Sequence, residues 1–228
     1  MEESKLTPAD EDVRGTLTRA IARLGCAPSI DSLASELGRD VEAVTRSLER
    51  LGDAHALLLH PGTCRPWVVH PFALSPGSCW VDTNGKGYWA NCLYCACGIA
   101  AALQCDAQIH TRYGGEAQPV TYQVRNGELQ DTGDVFHLST PVVRWWDNVI
   151  FACASFQPFQ TVAEARDWCR RHGFPYGVTM SLPALWRFAS EWYGSYLSQP
   201  WRKRSVEQVQ ELFRRHELTG PFWDLPQG

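Results

Sequence analysis

Four cysteines crowd into fourteen residues of this chain, and that crowding limits what the surrounding fold can be. The stretch from Tyr88 to Ile109, YWANCLYCACGIAAALQCDAQI, holds Cys92, Cys95, Cys97 and Cys105. Its small residues, Ala96, Gly98 and Ala100 to Ala102, describe an element packed closely against its neighbours. On a helix, residues three apart share a face, so Cys92 and Cys95 point the same way. Cys97 lies about 500° on from Cys92 at roughly 100° per residue and points elsewhere. A thiol pair on one helical face suits a soft metal, a redox couple, or a nucleophile with a helper. The plain alternative is that cysteine serves as a small buried hydrophobe.

The redox setting narrows these readings. Nine cysteines is an odd number, and the acidic start, MEESKLTPADEDVRG, has no apolar stretch of the secretory kind. A cytoplasmic protein keeps its thiols reduced, so ligands, nucleophiles or core residues are expected here and a disulfide framework is not. No stretch approaches the roughly 20 apolar residues of a membrane span. With 228 residues the chain has volume for a sizeable core in one or two domains.

In chain order, residues 1–9 read as a disordered tail. Apolar positions Val13, Leu17, Ile21 and Leu24 recur at helical spacing from Glu11 to Leu24. Ser29 to Gly38 reads as a short capped helix, and Asp40 opens a third with Val44, Leu48 and Leu51 on one face. His55 to Val69 forms two apolar runs around Pro61-Gly62, a hairpin pattern. Three helices and a hairpin make a winged-helix-like domain over residues 10–75. A core follows over 76–200, and 201–228 reads as a C-terminal helical extension. Strands are expected at Cys79 to Asp82, Ala107 to Arg112, Pro119 to Arg125, Val135 to Leu138, Val142 to Trp145 and Pro175 to Met180. Helices are expected from Thr161 to His172, from Ser181 to Tyr196 and from Ser205 to Glu217. The tail from Thr219 to Leu225 is expected to fold back on the surface. The fold class is therefore α+β.

A winged helix suggests DNA, but the charge argues against it. Residues 1–60 carry seven Lys or Arg and eleven Asp or Glu, which accounts for the net −4 of the whole chain. A DNA-binding face needs uncompensated cations to release counterions. No nucleic-acid partner and no membrane partner are expected, and the N-terminal segment reads as a structural platform.

The pattern Asn91-Cys92-x-x-Cys95-Ala96-x-Gly98-Ile99, then Ala101-Ala102-Leu103, then Phe151-x-Cys153, then Asp167-Trp168 resembles the organomercurial (alkylmercury) lyase family. The resemblance covers about residues 10–195. It implies an alkylmercury-lyase-like core of small antiparallel sheets flanked by helices. It also implies an enzyme that cleaves a carbon–mercury bond by protonolysis. Carried over residue by residue, Cys92 and Cys153 are the paired thiolates that bind mercury. The family has an aspartate three residues after the first cysteine; here that position is Cys95. A metal-bound thiol becomes strongly acidic, so Cys95 is either the proton donor or a third metal ligand. Asp147 is the alternative acid. The resemblance implies no required cofactor, mercury(II) as substrate and product ion, a small organometallic substrate, and cellular thiols as product acceptors.

Other residues carry weaker signals. Cys97, Cys105 and Cys169 read as core or structural, and Cys26, Cys64 and Cys79 have no partner spacing. His110 and His137 read as strand surface. A zinc site from Cys92, Cys95, Cys97 and Cys105 has no standard finger spacing. Two further functions stay open: action on another carbon–heteroatom or organometal substrate, and a non-catalytic soft-metal-binding regulator.

Overall fold

The computed structural model describes residues 6–83 and 85–226; of the disordered tail expected over 1–9, residues 1–5 lie outside them, and Pro8 and Ala9 are helical. Helix α1 runs Pro8–Leu24, three residues earlier than its apolar stripe predicts. Thr7 and Asp10 form a capping box there and Pro8 occupies the first turn, where its missing N–H costs nothing. Helices α2 (Ile30–Leu37) and α3 (Val41–Asp53) follow, and α1 packs on both. Strands β1 (Leu58–Leu59) and β2 (Pro66–Val69) pair antiparallel around the expected Pro61-Gly62 turn.

The chain then builds an eight-stranded antiparallel sheet with β3 (Phe72–Ala73), β4 (Cys79–Thr83), β5 (Lys86–Ala90), β6 (Ala107–Arg112), β7 (Pro119–Arg125) and β8 (Glu128–Leu129). Its strand order is β1-β2-β3-β5-β4-β6-β7-β8. Helix α4 (Leu93–Leu103) connects β5 to β6 and lies between this sheet and helix α7 (Leu182–Tyr193). Ten of its eleven residues are buried, which explains why the segment is small and apolar all round. A Cβ on Gly98 would stand 2.3 Å from the Tyr193 ring, so glycine is what allows the two helices to approach this closely.

Three further strands, β9 (Val135–Leu138), β10 (Gln157–Phe159) and β11 (Val178–Ser181), form a second antiparallel sheet with β9 in the middle. Helices α5 (Val149–Ala154), α6 (Val162–His172) and α8 (Val206–Arg215) complete the chain. The apolar core runs without a break from Val13 and Leu17 in α1 to Phe213 in α8. Tyr88 reinforces that continuity by donating to the Ala22 carbonyl at 2.6 Å.

Three expectations need correction and a fourth is refined. Val142 to Trp145 is not a strand: Val142–Arg144 is a single 3-10 turn after Pro141, and the Trp145 indole donates back to the Thr140 carbonyl at 2.7 Å. His137 is not on a strand surface. Central strand β9 is covered by neighbouring side chains, and the ring is 0% exposed, stacked on Tyr176 at 5.4 Å. The tail after Thr219 runs along the surface with most residues exposed, but it is anchored by Trp223, buried against Phe213 at 5.4 Å. Helix α7 stops at Tyr193, before the expected Tyr196.

Candidate active site

Cys92 is the N-cap of α4, in extended conformation, and Cys95 lies in the first turn. Their sulfurs are 3.7 Å apart. Helix α5, capped by the Asn148 side chain accepting from Phe151 N–H, brings Cys153 to the same place. Cys153 Sγ lies within 4.8 Å of Cys95 Sγ. His70 joins them from the turn between β2 and β3. The ligand atoms of His70, Cys95 and Cys153 all lie within 4.8 Å of one another. Metal–sulfur bonds near 2.3 Å span roughly 4 to 5 Å between two sulfurs, so one soft ion fits among these groups.

Protonation follows from the sulfur contacts. Hydrogen bonds from Cys92 and then Cys95 draw the Cys153 thiol well below its ordinary range, against the opposing effect of burial. Burial, and then the Cys153 contact, push Cys92 up. The Cys153 and Cys92 contacts, reinforced by burial, do the same to Cys95. Among the three thiols, Cys153 is therefore the one its neighbours favour as the thiolate. The His70 imidazole is lowered to about 4, by burial and then by the Arg14 charge; at neutral pH it is a neutral lone-pair donor.

These groups open onto a cavity of about 250 Å³ whose wall is largely apolar and aromatic, with Trp145, Trp146, Phe156 and Tyr193 among its lining residues. Arg14 reaches it from α1, 1% exposed, donating to the Ala56 carbonyl at 2.9 Å and the His70 carbonyl at 2.6 Å. The guanidinium therefore holds the turn that carries His70.

The remaining sequence candidates divide cleanly. Cys97 is buried on the far side of α4, facing Cys79 of β4, so the thiols do not converge as a four-cysteine zinc site. Cys79 is itself buried and pushed up to about 12 by that burial. Cys105 is part-buried just past α4, and Cys169 is buried with Sγ 3.6 Å from His137 Nε2. Cys26 is exposed, and Cys64 contacts Glu49 at 3.4 Å. His110 sits on β6, 3.0 Å from Thr121 Oγ1. Asp147 does not line the thiol cavity; it is exposed and ion-paired with Arg144 at 2.9 Å. Sequence reasoning missed His70 and Arg14. His70 has no spacing relation to the cysteines and carried no signal. Arg14 had one: Arg14 and Thr18 sit one turn apart beside the stripe of Val13, Leu17 and Ile21, where a solvated face would not be expected.

A buried cluster of reduced thiols beside an imidazole, in a mixed helix and antiparallel-sheet fold, defines a soft-metal thiolate protein. A family model described as alkylmercury lyase matches residues 72–194, more than half of the chain, and the protein belongs to that family of carbon–mercury lyases. Among solved structures, one described as the mercury-bound form of MerB2 is similar in fold, with a TM-score of 0.66 at 19% identity. The match covers 83% of this chain and 91% of that one. No curated protein matches the sequence. Among the described residues, no helix is long and apolar enough to cross a membrane.

Proposed function

We propose that the protein cleaves carbon–mercury bonds by protonolysis, with Cys153 and Cys92 as the mercury-binding pair and Cys95 as the proton source. The observation that supports this reading is the convergence of three sulfurs on a cavity whose lining residues include no Asp or Glu. The Cys153 thiolate captures R–Hg⁺, forming a sulfur–mercury bond. Cys92 adds as the second sulfur ligand, and electron donation from both sulfurs makes the carbon more basic. The C–Hg electron pair takes a proton, R–H leaves, and mercury(II) remains on two thiolates. One thiol proton balances the step. Cys95 delivers it to carbon in the same step in which Cys92, bonding to mercury, passes its own proton to Cys95. Small cellular thiols then remove the ion, and no resident cofactor is required.

Incubation with phenylmercury and excess thiol, with benzene measured directly, tests the reading. Cys92→Ala and Cys153→Ala are expected to abolish release. Cys95→Ser is expected to slow it severely, because a hydroxyl is a far weaker acid, and Cys95→Asp to restore it. Benzene release undiminished in Cys153→Ala would refute the assignment.

The second reading is a soft-metal trap, favoured by His70 standing within ligand distance of Cys95 and Cys153. A third donor strengthens retention of the ion and slows its transfer. On this reading wild type binds mercury(II) without releasing benzene, and His70→Gln speeds mercury transfer to added thiol. Salt-dependent duplex binding would be needed for a regulator, and the acidic N-terminal segment opposes it.

A further inference from the structure

The thiol cavity carries a charge opposite to that of the chain. The protein has a formal net charge of −4, yet Arg14, Arg202, Lys203 and Arg204 line the cavity together with no carboxylate. Three of these come from one strap, the segment between α7 and α8, which closes over the thiols. Arg202 is answered by Glu11 at 3.3 Å. Arg204 has no carboxylate partner among the described residues: it stacks over Trp192 at 4.9 Å and donates to the Trp192 carbonyl at 3.0 Å. Arg14 donates to carbonyls and the Thr18 hydroxyl, again without a counter-charge, and burial lowers it to about 10. Lys203 makes no ion pair among the described residues. Arg202 and Lys203 are exposed at the rim, which leaves Arg14, 1% exposed, and half-buried Arg204 as lining cations with no carboxylate partner among the described residues.

A second observation points the same way. The Trp201 indole N–H and the Tyr94 hydroxyl both belong to cavity-lining residues, 7% and 6% exposed, and have no hydrogen-bond partner among the described residues. Buried donors left unpaired are costly and call for an acceptor. Cations fixed at a cavity with low-dielectric walls, together with orphaned donors, favour an anionic oxygen ligand.

We infer that the cavity selects organomercurials that carry a carboxylate, either on the organic group or on the thiol that accompanies the mercury. This rests on the lyase reading but is testable apart from it. The mercury-free probe is benzoate against benzamide, followed by quenching of cavity tryptophan fluorescence. A partly solvated charge contact supports up to about fivefold preference, and two contacts more. Benzoate is therefore expected to bind about fivefold more tightly than benzamide. The preference is expected to shrink as salt is raised and in Lys203→Gln and Arg204→Gln. Kinetic arms then locate the carboxylate. Phenylmercury and 4-carboxyphenylmercury are each supplied as the 2-mercaptoethanol or the mercaptoacetate adduct. A higher kcat/KM for the carboxyphenyl substrate assigns the anion to the organic group; a higher value for the mercaptoacetate adduct assigns it to the carrier. Equal binding of benzoate and benzamide would overturn the inference. Benzoate preference without arene release from any substrate would leave the anion site standing and remove the lyase reading instead.

Discussion

Replacing Cys95 by alanine tests the electrostatic core of the site before any mercury is added. The buried Cys153 thiol is drawn down by its contacts with Cys92 and then Cys95, against the effect of burial. A hydrogen bond to a charged group contributes roughly 1.5–3 kcal/mol and one pKa unit corresponds to about 1.36 kcal/mol, so losing one donor is expected to raise the lowest apparent thiol pKa by about one to two pH units. The three thiols titrate together, so the measured midpoint belongs to the trio. The assay is the pH dependence of Cys153 labelling by a small methanethiosulfonate, mapped by peptide mass spectrometry. Cys95→Ser should return the midpoint toward wild type, since a hydroxyl donates to a thiolate at least as well as a thiol. It should not return turnover, because the hydroxyl gives up its proton far less readily. That split separates holding the thiolate from delivering the proton. An unchanged labelling midpoint in Cys95→Ala would refute the argument that Cys95 holds the Cys153 charge.

Asp147→Asn is expected to leave benzene release within about twofold of wild type, because this carboxylate is ion-paired at the surface and a surface pair contributes little; a loss of tenfold or more would return it to the chemistry. Gly98→Ala places a methyl 2.3 Å from the Tyr193 ring, and overpacking of this kind costs about 1–3 kcal/mol, read as a lower urea midpoint at unchanged slope; unaltered stability would show that α4 and α7 separate freely. His137 is lowered from 6.5 to about 4 by burial. A depressed histidine favours the fold above its unfolded pKa, so its contribution is complete above pH 6.5 and is lost as pH falls toward 4. The upper limit is about 3 kcal/mol, and urea unfolding across that window should show the decline in wild type and a flatter profile in His137→Leu.

Local signals were readable wherever local rules decide structure. Helix α6 begins after Thr161 and ends before Gly173 because a threonine cap and a left-handed glycine terminate it on both sides. Strands β6, β7 and β9 fall where their alternation places them. The proximity of Cys92 and Cys95 follows from a spacing of three at the start of a helix. What was not readable depends on non-local packing. Val142 to Trp145 has strand-forming side chains, but Pro141 and the Trp145 indole turn it into a 3-10 segment. His137 looks like an ordinary alternating polar residue until β10 and β11 flank its strand and aromatic rings cover its face. His70 reaches the thiols through a turn held by a guanidinium fifty-six positions earlier, and no pattern in its own neighbourhood records that.

The substitution at Cys95 makes physical sense as a change in what the acid does after the bond breaks. On the proposed mechanism the trio starts with one thiolate, on Cys153, and R–Hg⁺ neutralises it on capture. When the proton reaches carbon and Cys92 becomes a ligand, mercury(II) bound to two thiolates is neutral again, and Cys95 recovers its proton. Charge in this buried pocket therefore never exceeds that of the resting thiolate, which matters where an unpaired ion is costly. A carboxyl at the same position would deliver its proton equally well, and its oxygen would hold the departing ion weakly. A sulfur 3.7 Å from Cys92 and an imidazole within 4.8 Å of Cys95 and Cys153 both prefer the soft ion that the reaction leaves behind. On the proposed mechanism the side chain that supplies the acid also sets a third sulfur against the product, and transfer of mercury to incoming thiols is the step expected to limit turnover.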